Sequence, residues 1–497
     1  MYHIVILFLF LEFFNPHTAF GKDASPYPKE IQNIHLQDIL RDIETLNHPK
    51  FQGRQAGTIG GYASARFVAK RFKTLGLMPV VQQTNQQSGQ QWFQGSPLTA
   101  TQLLAPTFVN LFPTKLHGKA TRVGLQIGKD YIPVLDSPAV NLTAPVAYVA
   151  YGINDPARGI DDYQVVNVRN RIVLFFRGKP PTYSRWITHE EKVQIAQEKG
   201  AAGFLTVTGP QLNRYEARKG LGQTPLAIYS TTPENRPIPG AWISGRMLDQ
   251  YLATIHESFE SLQQQAHENP GKVSRPLPLL AHLSWNTRQE PGTLINVLGM
   301  LHGEDPILRD EIILIGAHRD HFGEQAGLLF PGADDNASGT AVMLEIARRF
   351  TDNTNKPKRS ILFVSFDGEE RGLLGSKLYV NKPTRPLEKM IAMINLDHVG
   401  VGTGTLTVGI TRLDKSLAQQ AAIQAGLTEK IKLYGYFPGG DHVPFYDAEI
   451  PTITVVSAGV HPHFHQPSDT AETINPDVVM TAAQFVLNLL DILANPS

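Results

Sequence analysis

Runs of apolar residues alternate with amphipathic segments in the C-terminal part of the chain. The runs are continuous, which is typical of strands buried on both faces of a sheet. The amphipathic segments have helical spacing over 337–350, 417–425 and 478–494. The pattern predicts an α/β fold with a mixed, largely parallel central sheet and helices on both faces. Its strands are predicted at LINVLGML, EIILIGAH, SILFVSFD, MIAMINLD and PTITVV.

The preceding residues follow a different pattern. Residues 34–76 have helical spacing and end at a glycine, whereas residues 79–140 have the pattern of short strands and turns. Short apolar runs closed by glycine then surround a helical segment, and the proline-rich stretch ENPGKVSRPLPL follows as a linker. We therefore predict a β-rich inserted domain at 141–270, between an N-terminal part at 22–140 and the α/β domain at 271–497.

The first residues have the pattern of a cleaved signal peptide. An apolar run from Ile4 to Phe14 is too short for a bilayer span, which needs about 20 residues. Ala19 and Gly21 follow in the small-x-small spacing of a cleavage site. We predict a signal peptide at 1–21 and a secreted or periplasmic protein, with an uncleaved anchor as the alternative. No later segment is predicted to cross a membrane.

The composition narrows the chemistry that the chain can support. Lysine plus arginine and aspartate plus glutamate number 45 each, so no net charge attracts nucleic acid or an anionic membrane. Cysteine is absent, which excludes disulfides, a cysteine nucleophile and thiolate metal ligands. A metal site in this chain must therefore use histidine, carboxylate, carbonyl or water.

Histidines and carboxylates gather where the predicted strands end, the edge at which α/β sheets bind ligands. Each one alone has an ordinary structural explanation; Asp469 with Glu472, for example, matches a helix capping box. Together, these carboxylates would raise one another's pKa and destabilise the fold unless a cation neutralised them. Such nitrogen and oxygen donors suit Zn, Mn or Co. The residues are His318, Asp320, His321, Asp334, Asp335, Asp367, Glu369, Glu370, Asp397, His398, His461, His463, His465 and Asp469.

Five motifs in a fixed order resemble the co-catalytic di-zinc aminopeptidases, a family that includes glutamate carboxypeptidases and, more distantly, glutaminyl cyclases. The motifs are GAHRDH, PGADDNASG, FDGEERGLLGS, NLDHVG and HFHQPSDT, and FQGRQAGTIGG matches the family's opening motif. The resemblance covers roughly residues 30–495. The segment at 141–270 is similar to a protease-associated domain, a common insertion in this family.

The resemblance implies roles for particular residues. Asp335 would bridge two zinc ions and be followed by a cis peptide bond to Asn336, while Asp320 would orient His318 and Glu369 would act as general base. The usual aromatic residue after His318 is Arg319 here, which is expected to affect the rim of the pocket. The loop at 436–451 resembles a substrate-pocket loop, so Asp441 and His442 are candidate substrate-binding residues. The implied zinc ligands are His318, Asp335, Glu370, Asp397 and His465.

The resemblance implies a zinc-dependent aminopeptidase that removes N-terminal residues from peptides, with a hydroxide held by two zinc ions and Glu369 as the general base. The alternatives are a carboxypeptidase, an acyl transferase like the glutaminyl cyclases, which use one zinc, and a binding module without catalytic activity. A carboxypeptidase would need a basic cluster for the substrate carboxylate. A complete ligand set makes the last two alternatives the weaker ones.

Overall fold

The computed structural model describes residues 34–81, 90–114, 125–212, 217, 224–230, 238–352 and 356–496. The predicted signal peptide at 1–21 lies outside these residues, so export stays a prediction.

The described helices occupy both ends of the chain and the middle segment. They are α1 (Leu36–Asn47), α2 (Ile59–Thr74), α3 (His189–Glu198), α4 (Gly245–Ala253), α5 (Phe259–Glu268), α6 (Gly339–Thr351), α7 (Leu374–Asn381), α8 (Ser416–Gln424), α9 (His442–Asp447) and α10 (Pro476–Ala494).

The described strands range from two residues to more than twenty. They are β1 (Met78–Pro79), β2 (Phe93–Pro113), β3 (Tyr131–Pro133), β4 (Val140–Tyr148), β5 (Asn154–Asp155), β6 (Ile160–Asp161), β7 (Ile172–Phe176), β8 (Gly203–Val207), β9 (Gly240–Ile243), β10 (Arg275–Leu301), β11 (Ile312–His318), β12 (Gly323–Gln325), β13 (Leu328–Phe330), β14 (Ser360–Phe366), β15 (Met390–Leu396), β16 (Leu406–Thr411), β17 (Ile431–Tyr434) and β18 (Thr452–Ser457).

Within the described residues, one sheet of 14 strands runs through the molecule. Its main order is β17-β16-β18-β15-β11-β14-β10-β4-β7-β8-β9-β3, and β1 and β2 also pair with β10. Strands β18, β15, β11 and β14 are neighbours and pair in parallel, so their carboxyl ends meet at one edge. The predicted mixed, largely parallel sheet between helices is confirmed.

The continuous apolar strands are buried on both faces, as their pattern predicts. In β11, Ile313 and Ile315 pack into a core formed with α1, α2, α6, α8 and α10. The alternate residues Ile312 and Leu314 pack on the opposite face, against residues of α7 and α9. Side chains of a strand point alternately to its two faces, so a strand covered by helices on both faces has no polar face.

The predicted linker is wrong over its second half. Residues 275–279 open the 27-residue strand β10, which pairs with β4 at one end and β14 at the other. Pro276 and Pro278 stand near the start of this strand, where the pairing with β4 is irregular between Pro276 and Leu280 and loss of an N–H is tolerated. The division into domains at 140 and 270 stays a prediction; the long strand β10, which begins after the second boundary, pairs with β4 of the 141–270 segment as well as with β14.

The N-terminal helical segment is interrupted where the pattern predicts continuous helical spacing. Between α1 and α2 the chain forms a 3₁₀ turn at Pro49–Arg54, in which Gln52, Gly53 and Arg54 have positive φ. A Cβ on Gly53 would lie 2.2 Å from the carbonyl oxygen of Phe330. The turn therefore requires glycine there, and it carries the next residue, Arg54, into the core.

Among the described residues, α10 is the helix whose length and composition would allow it to cross a membrane. Most of its apolar surface is buried in the core beside β11 and α6. An apolar helix of this kind is typical of the centre of a large α/β domain.

Candidate active site

The predicted metal ligands come together at the carboxyl edge of the four parallel strands. His318 ends β11, Glu370 follows β14, Asp397 follows β15, and His465 lies in the loop after β18. Asp335 comes from the turn that precedes α6. Sheet topology alone places these sequence-distant residues side by side.

The carboxylate of Asp335 lies between two groups of donors. Its Oδ1 is 3.4 Å from Nε2 of His318, which is also 3.2 Å from Oδ1 of Asp397. Its Oδ2 is 3.2 Å from Nε2 of His465, which is 3.5 Å from Oε2 of Glu370. The two oxygens of one carboxylate therefore face two separate donor groups.

These separations fit two metal ions held by a shared carboxylate. Donors about 2.0–2.1 Å from a tetrahedral zinc ion lie roughly 3.3 Å from one another, which is the spacing found here. The donors are nitrogen and oxygen atoms, and the side chains of His318 and Asp335 are only 1% and 3% exposed. So many buried carboxylates are stable together only with cations to balance them.

The turn that carries Asp335 is held by buried contacts. Gly332 has φ 61°, and a Cβ there would lie 2.2 Å from the carbonyl oxygen of Asp335. The Asp335–Asn336 peptide bond is cis, as the resemblance predicts. The side-chain amide of Asn336 donates to the carbonyl of Leu396 at 2.8 Å, tying this turn to the end of β15.

Asp469 supports the same turn, so its predicted capping role is wrong. Its carboxylate accepts hydrogen bonds from the backbone N–H groups of Asp334, at 2.9 Å, and Asp335, at 3.1 Å. The side chain is buried, and the short 3₁₀ turn Ala471–Thr473 has no side-chain cap. The capping-box spacing is local, whereas the partner N–H groups lie 135 and 134 positions away in the sequence.

Glu369 and Glu370 point in different directions from the end of β14. Gly368, with φ 69°, turns the chain there, and a Cβ on it would lie 2.6 Å from Leu294 Cδ1. The N–H of Glu369 donates to Oδ1 of Asp320 at 3.2 Å, and its side chain lines the cavity. Glu370 also lines the cavity and meets the ring of His321, with Nδ1 and Oε1 2.6 Å apart.

Burial and neighbouring carboxylates set the protonation of this pair. Burial, with Asp397 among the adjacent acids, raises the pKa of Glu369 well above its usual value. Burial and the charge of Asp335 do the same to the pKa of Glu370. Burial favours a higher pKa for Asp335 as well, but the surrounding histidines, and His398 most of all, outweigh burial and lower the pKa of Asp335 well below its usual range. Asp335 is therefore ionised, and Glu369 is a stronger base than an exposed glutamate.

Asp320 contacts the metal-facing histidine through two atoms. The Nδ1 atom of His318 lies 3.2 Å from the carbonyl oxygen of Asp320 and 3.7 Å from its carboxylate. A partner on one ring nitrogen fixes the other as the metal donor. The orienting role predicted for Asp320 is thus supported by the geometry, chiefly through its backbone.

Three histidines near the centre were not given roles from the sequence. His321 contacts Glu370, while His398 and His461 both contact Oδ2 of Asp334, at 3.4 and 2.6 Å. Their position after strands was the available signal, but only the fold shows which carboxylate each one meets.

The segment around the donors matches a known family. Residues 296–490 match the sequence profile of Peptidase family M28. This segment belongs to Peptidase family M28. It contains all of the predicted metal ligands, and we refer to it as the M28 segment.

Curated relatives of the chain include proteins named as aminopeptidases and a probable glutamate carboxypeptidase of Zea mays. A probable leucine aminopeptidase of Arthroderma otae is 23% identical over 338 residues, which cover 62% of this chain and 88% of the relative. Aminopeptidase YwaD of Bacillus subtilis is 31% identical over 202 residues, which cover 38% of this chain and 43% of the relative. The second similarity therefore spans less than half of each protein.

Solved structures share the fold over nearly the whole chain. An aminopeptidase from Aneurinibacillus sp. strain AM-1 superposes with a TM-score of 0.65 at 21% identity, covering 94% of this chain and 96% of the other. A zinc aminopeptidase from Bacillus subtilis gives a TM-score of 0.61 at 21% identity, covering 93% and 96%. The architecture outside the M28 segment is thus found in these proteins too.

A cavity of about 420 Å³ opens over the donor groups of the M28 segment. Its charged walls are acidic, and none of the described residues that line it is lysine or arginine. Apolar walls come from residues 437–440 and from Phe464, and Trp186 and Glu190 approach from the 141–270 segment.

Two sequence predictions about the cavity walls differ from the structure. Asp441 and His442 are buried behind the loop and do not line the cavity. Asp441 accepts a hydrogen bond from Ser376 at 2.6 Å, and burial raises its pKa to about 7. Arg319 is fully buried rather than at the rim, with its guanidinium 3.3 Å from Asp367. Its guanidinium also donates to the carbonyls of Ser365 and Phe366, at 3.2 and 3.1 Å, so the buried charge has hydrogen-bond partners that a rim position would lack.

The buried guanidinium of Arg54 connects two ligand-bearing loops. It donates to the carbonyl of Arg319, next to His318, at 2.6 Å. It also donates to the carbonyls of Pro331 and Gly332, just before the Asp335 turn, both at 2.6 Å. The motif FQGRQAG, noted only as a resemblance in the sequence, therefore supplies the arginine that holds together the loops of the predicted metal ligands His318 and Asp335.

Proposed function

We propose that the protein is a zinc-dependent aminopeptidase that hydrolyses the N-terminal peptide bond of its substrates. The observation that carries the proposal is the shared carboxylate of Asp335, with His318 and Asp397 on one side and His465 and Glu370 on the other. The family of the segment and the names of its relatives support the same reaction class.

Two zinc ions fit these donors best, with Asp335 shared between them. Zinc, when bound, would lower the pKa of a water molecule and polarise the scissile carbonyl. Zinc is preferred because the donors are imidazole and carboxylate without thiolate.

Glu369 is the general base in this proposal. Its carboxyl faces the cavity beside the donor groups and has a raised pKa, so it takes a proton from the attacking water more readily than an exposed glutamate would. The same carboxyl returns that proton to the amine that leaves. Asp320 holds His318 in place, and His321 holds Glu370.

The charge of the cavity favours substrates with a free amine. Apart from the predicted zinc ligands and Glu369, the acid among its described lining residues is Glu190, and lysine and arginine are absent from that lining. A carboxypeptidase needs cations near the cleaved bond to receive the substrate carboxylate. This contrast favours the aminopeptidase over the carboxypeptidase alternative.

The test compares two substrates with the zinc-loaded protein. We expect cleavage of leucine p-nitroanilide, which has a free amine, and no cleavage of an N-acetylated peptide with a free C-terminus. Metal analysis should give two zinc ions per chain. Cleavage of the N-acetylated peptide alone would establish the carboxypeptidase instead, and one zinc ion per chain would favour the cyclase-like alternative.

Export and a separate role for the inserted segment belong to the same proposal. The N-terminal sequence supports secretion or transport to the periplasm. Trp186 and Glu190, from the segment predicted to be a protease-associated domain, line the cavity, which supports a role in substrate access.

A further inference from the structure

His398 lines the cavity over the donor groups but has no part in the proposed mechanism. It follows Asp397 directly, and neighbouring side chains of an extended strand point to opposite faces. His398 has φ 50°, a left-handed conformation that is uncommon for residues other than glycine. The backbone N–H and the hydroxyl of Ser457 both donate to its carbonyl oxygen, which holds this conformation. The turn brings the side chains of Asp397 and His398 to the same cavity.

The Nε2 atom of His398 lies beside an oxygen of each of two predicted zinc ligands. It is 3.6 Å from Oδ2 of Asp335 and 3.7 Å from Oδ1 of Asp397. The donor atoms of these three residues lie within 4.8 Å of one another. Two ligands of one zinc ion are about 3.3 Å apart in a tetrahedral site and roughly 3.6 Å apart in the equatorial plane of a five-coordinate one. Nε2 of His398 therefore has the position of a further donor.

The other ring nitrogen of His398 faces a buried carboxylate. Its Nδ1 atom is 3.4 Å from Oδ2 of Asp334, which is itself held by the N–H of Gly400 at 2.8 Å. An ionised carboxylate only accepts hydrogen bonds, so Nδ1 carries the hydrogen and Nε2 keeps an electron pair for a metal. The rings of His461 and Phe464, with centroids 5.4 and 5.2 Å away, pack against the imidazole and fix its plane.

The two histidines predicted as zinc ligands show the same pattern. The Nδ1 atom of His318 is 3.2 Å from the carbonyl oxygen of Asp320, and that of His465 is 2.9 Å from the carbonyl oxygen of Ala227. Both direct Nε2 at two of the predicted ligand carboxylates. His398 repeats both features, an oxygen at one nitrogen and two ligand carboxylates at the other.

The other two histidines without a predicted role lack this pattern. The Nδ1 atom of His321 is 2.6 Å from Glu370, the distance of a hydrogen bond rather than of two ligands of one ion. The Nε2 atom of His461 is 3.2 Å from the carbonyl oxygen of Ser457. A carbonyl only accepts, so this nitrogen carries a hydrogen and has no electron pair for a metal. The geometry of a ligand is thus specific to His398 among these three.

We propose that His398 is a third imidazole ligand of the metal pair. This inference rests on the metal-dependent hydrolysis proposed above. A neutral imidazole strengthens metal binding without adding negative charge to a site that is already rich in carboxylates. The proposed ligands are then His318, Asp335, Glu370, Asp397, His398 and His465.

The test replaces zinc with Co²⁺, which takes the same imidazole and carboxylate donors. Bound Co²⁺ shifts the N–H proton of each imidazole ligand far outside the ordinary proton NMR spectrum, and these signals disappear in deuterated water. We expect three such signals from the cobalt-loaded protein, one for each of His318, His398 and His465, and two from His398→Asn. Asparagine tolerates the positive φ of this position, and circular dichroism checks that the variant keeps the fold.

Zinc affinity gives a second measurement. The binding free energy of a zinc site is shared among four or so ligands, so loss of one corresponds to roughly a hundredfold in affinity. We expect His398→Asn to weaken the binding of one of the two zinc ions by this factor in competition with a chelator. His302→Asn, at an exposed position just after β10, is the matched control and should leave the affinity and the three signals unchanged.

The outcomes separate the two proposals. Two shifted signals from the wild-type protein, together with cleavage of leucine p-nitroanilide, would overturn this inference and leave the aminopeptidase intact. Three signals that persist in His398→Asn would assign the third imidazole to another histidine and also overturn it, as would a zinc affinity equal to that of His302→Asn. Failure of the protein to bind zinc or Co²⁺ would overturn both proposals.

Discussion

The sharpest prediction concerns Glu369→Gln, which changes one oxygen of the side chain to an amide nitrogen. Glutamine keeps the shape of the side chain and the backbone N–H that donates to Asp320. It cannot accept the proton of the attacking water, so the contribution of the general base is lost. Such a contribution is about 10²–10⁴-fold in rate, or about 3–5 kcal/mol of activation free energy.

The same substitution should act in the opposite direction on stability. Burial and nearby acids raise the pKa of Glu369 well above its ordinary value of 4.5. If the Glu369 carboxyl is protonated in the folded protein at pH 7 but ionised in the unfolded chain, this difference lowers the free energy of unfolding by at most about 3 kcal/mol. Solvent in the cavity screens the charge and makes the effect smaller. A neutral glutamine avoids this cost, so the metal-free variant should unfold at a higher temperature than the metal-free wild type.

The assay pairs steady-state hydrolysis of leucine p-nitroanilide with thermal unfolding and zinc content. We expect kcat to fall at least about a hundredfold while zinc content stays unchanged, and Glu429→Gln, an exposed glutamate, serves as the control. Near-normal kcat in the zinc-loaded variant would refute the role of Glu369. Loss of zinc together with activity would assign Glu369 to the metal ligands instead.

Three further predictions follow from buried groups around the site. In Asp469→Asn, one of the two N–H groups of the Asp335 turn loses its acceptor, which should lower the free energy of unfolding by about 1–3 kcal/mol. Zinc binding should weaken about 10–100-fold, as measured by competition with a chelator. A zinc affinity equal to that of the exposed control Asp310→Asn would contradict this prediction. In Arg54→Lys, the ammonium cannot reach the carbonyls of Arg319, Pro331 and Gly332 together, so we expect at least a tenfold drop in zinc affinity relative to Arg309→Lys; equal affinity would show that charge alone suffices. The metal-free protein should lose stability as pH rises from 5 to 8. Burial raises the pKa of Asp441 to about 7 and the pKa of Asp469 to about 8. Neighbouring carboxylates raise the pKa of His398 to about 10, although burial acts in the opposite direction. The carboxyls lose stability between their usual pKa and the folded one, and His398 loses its contribution above about pH 6.5; a higher unfolding midpoint at pH 8 than at pH 5, measured without metal, would count against this.

The sequence alone indicated the strands β11, β14, β15 and β18 of the M28 segment, the helices α6, α8 and α10 and the polar residues at the strand ends, but not β16, β17, α7 or α9. Apolar continuity in β11, β14 and β15 indicated strands buried on both faces, because an exposed face would carry polar residues at every second position. The ordered motifs predicted roles for Asp335 and Glu369 through their resemblance to the di-zinc aminopeptidases, because motifs of this kind are local in the sequence.

The tertiary structure decided the contacts that join distant parts of the chain. Asp469 matched a helix cap by its local spacing, yet it binds the backbone of a turn more than 100 residues away. Arg54 had no local signal for its partners, and Arg319 was expected at a rim although it is buried against Asp367. Local spacing reports what neighbours in sequence can do, whereas the partner of a buried charge depends on which loops the sheet order brings together.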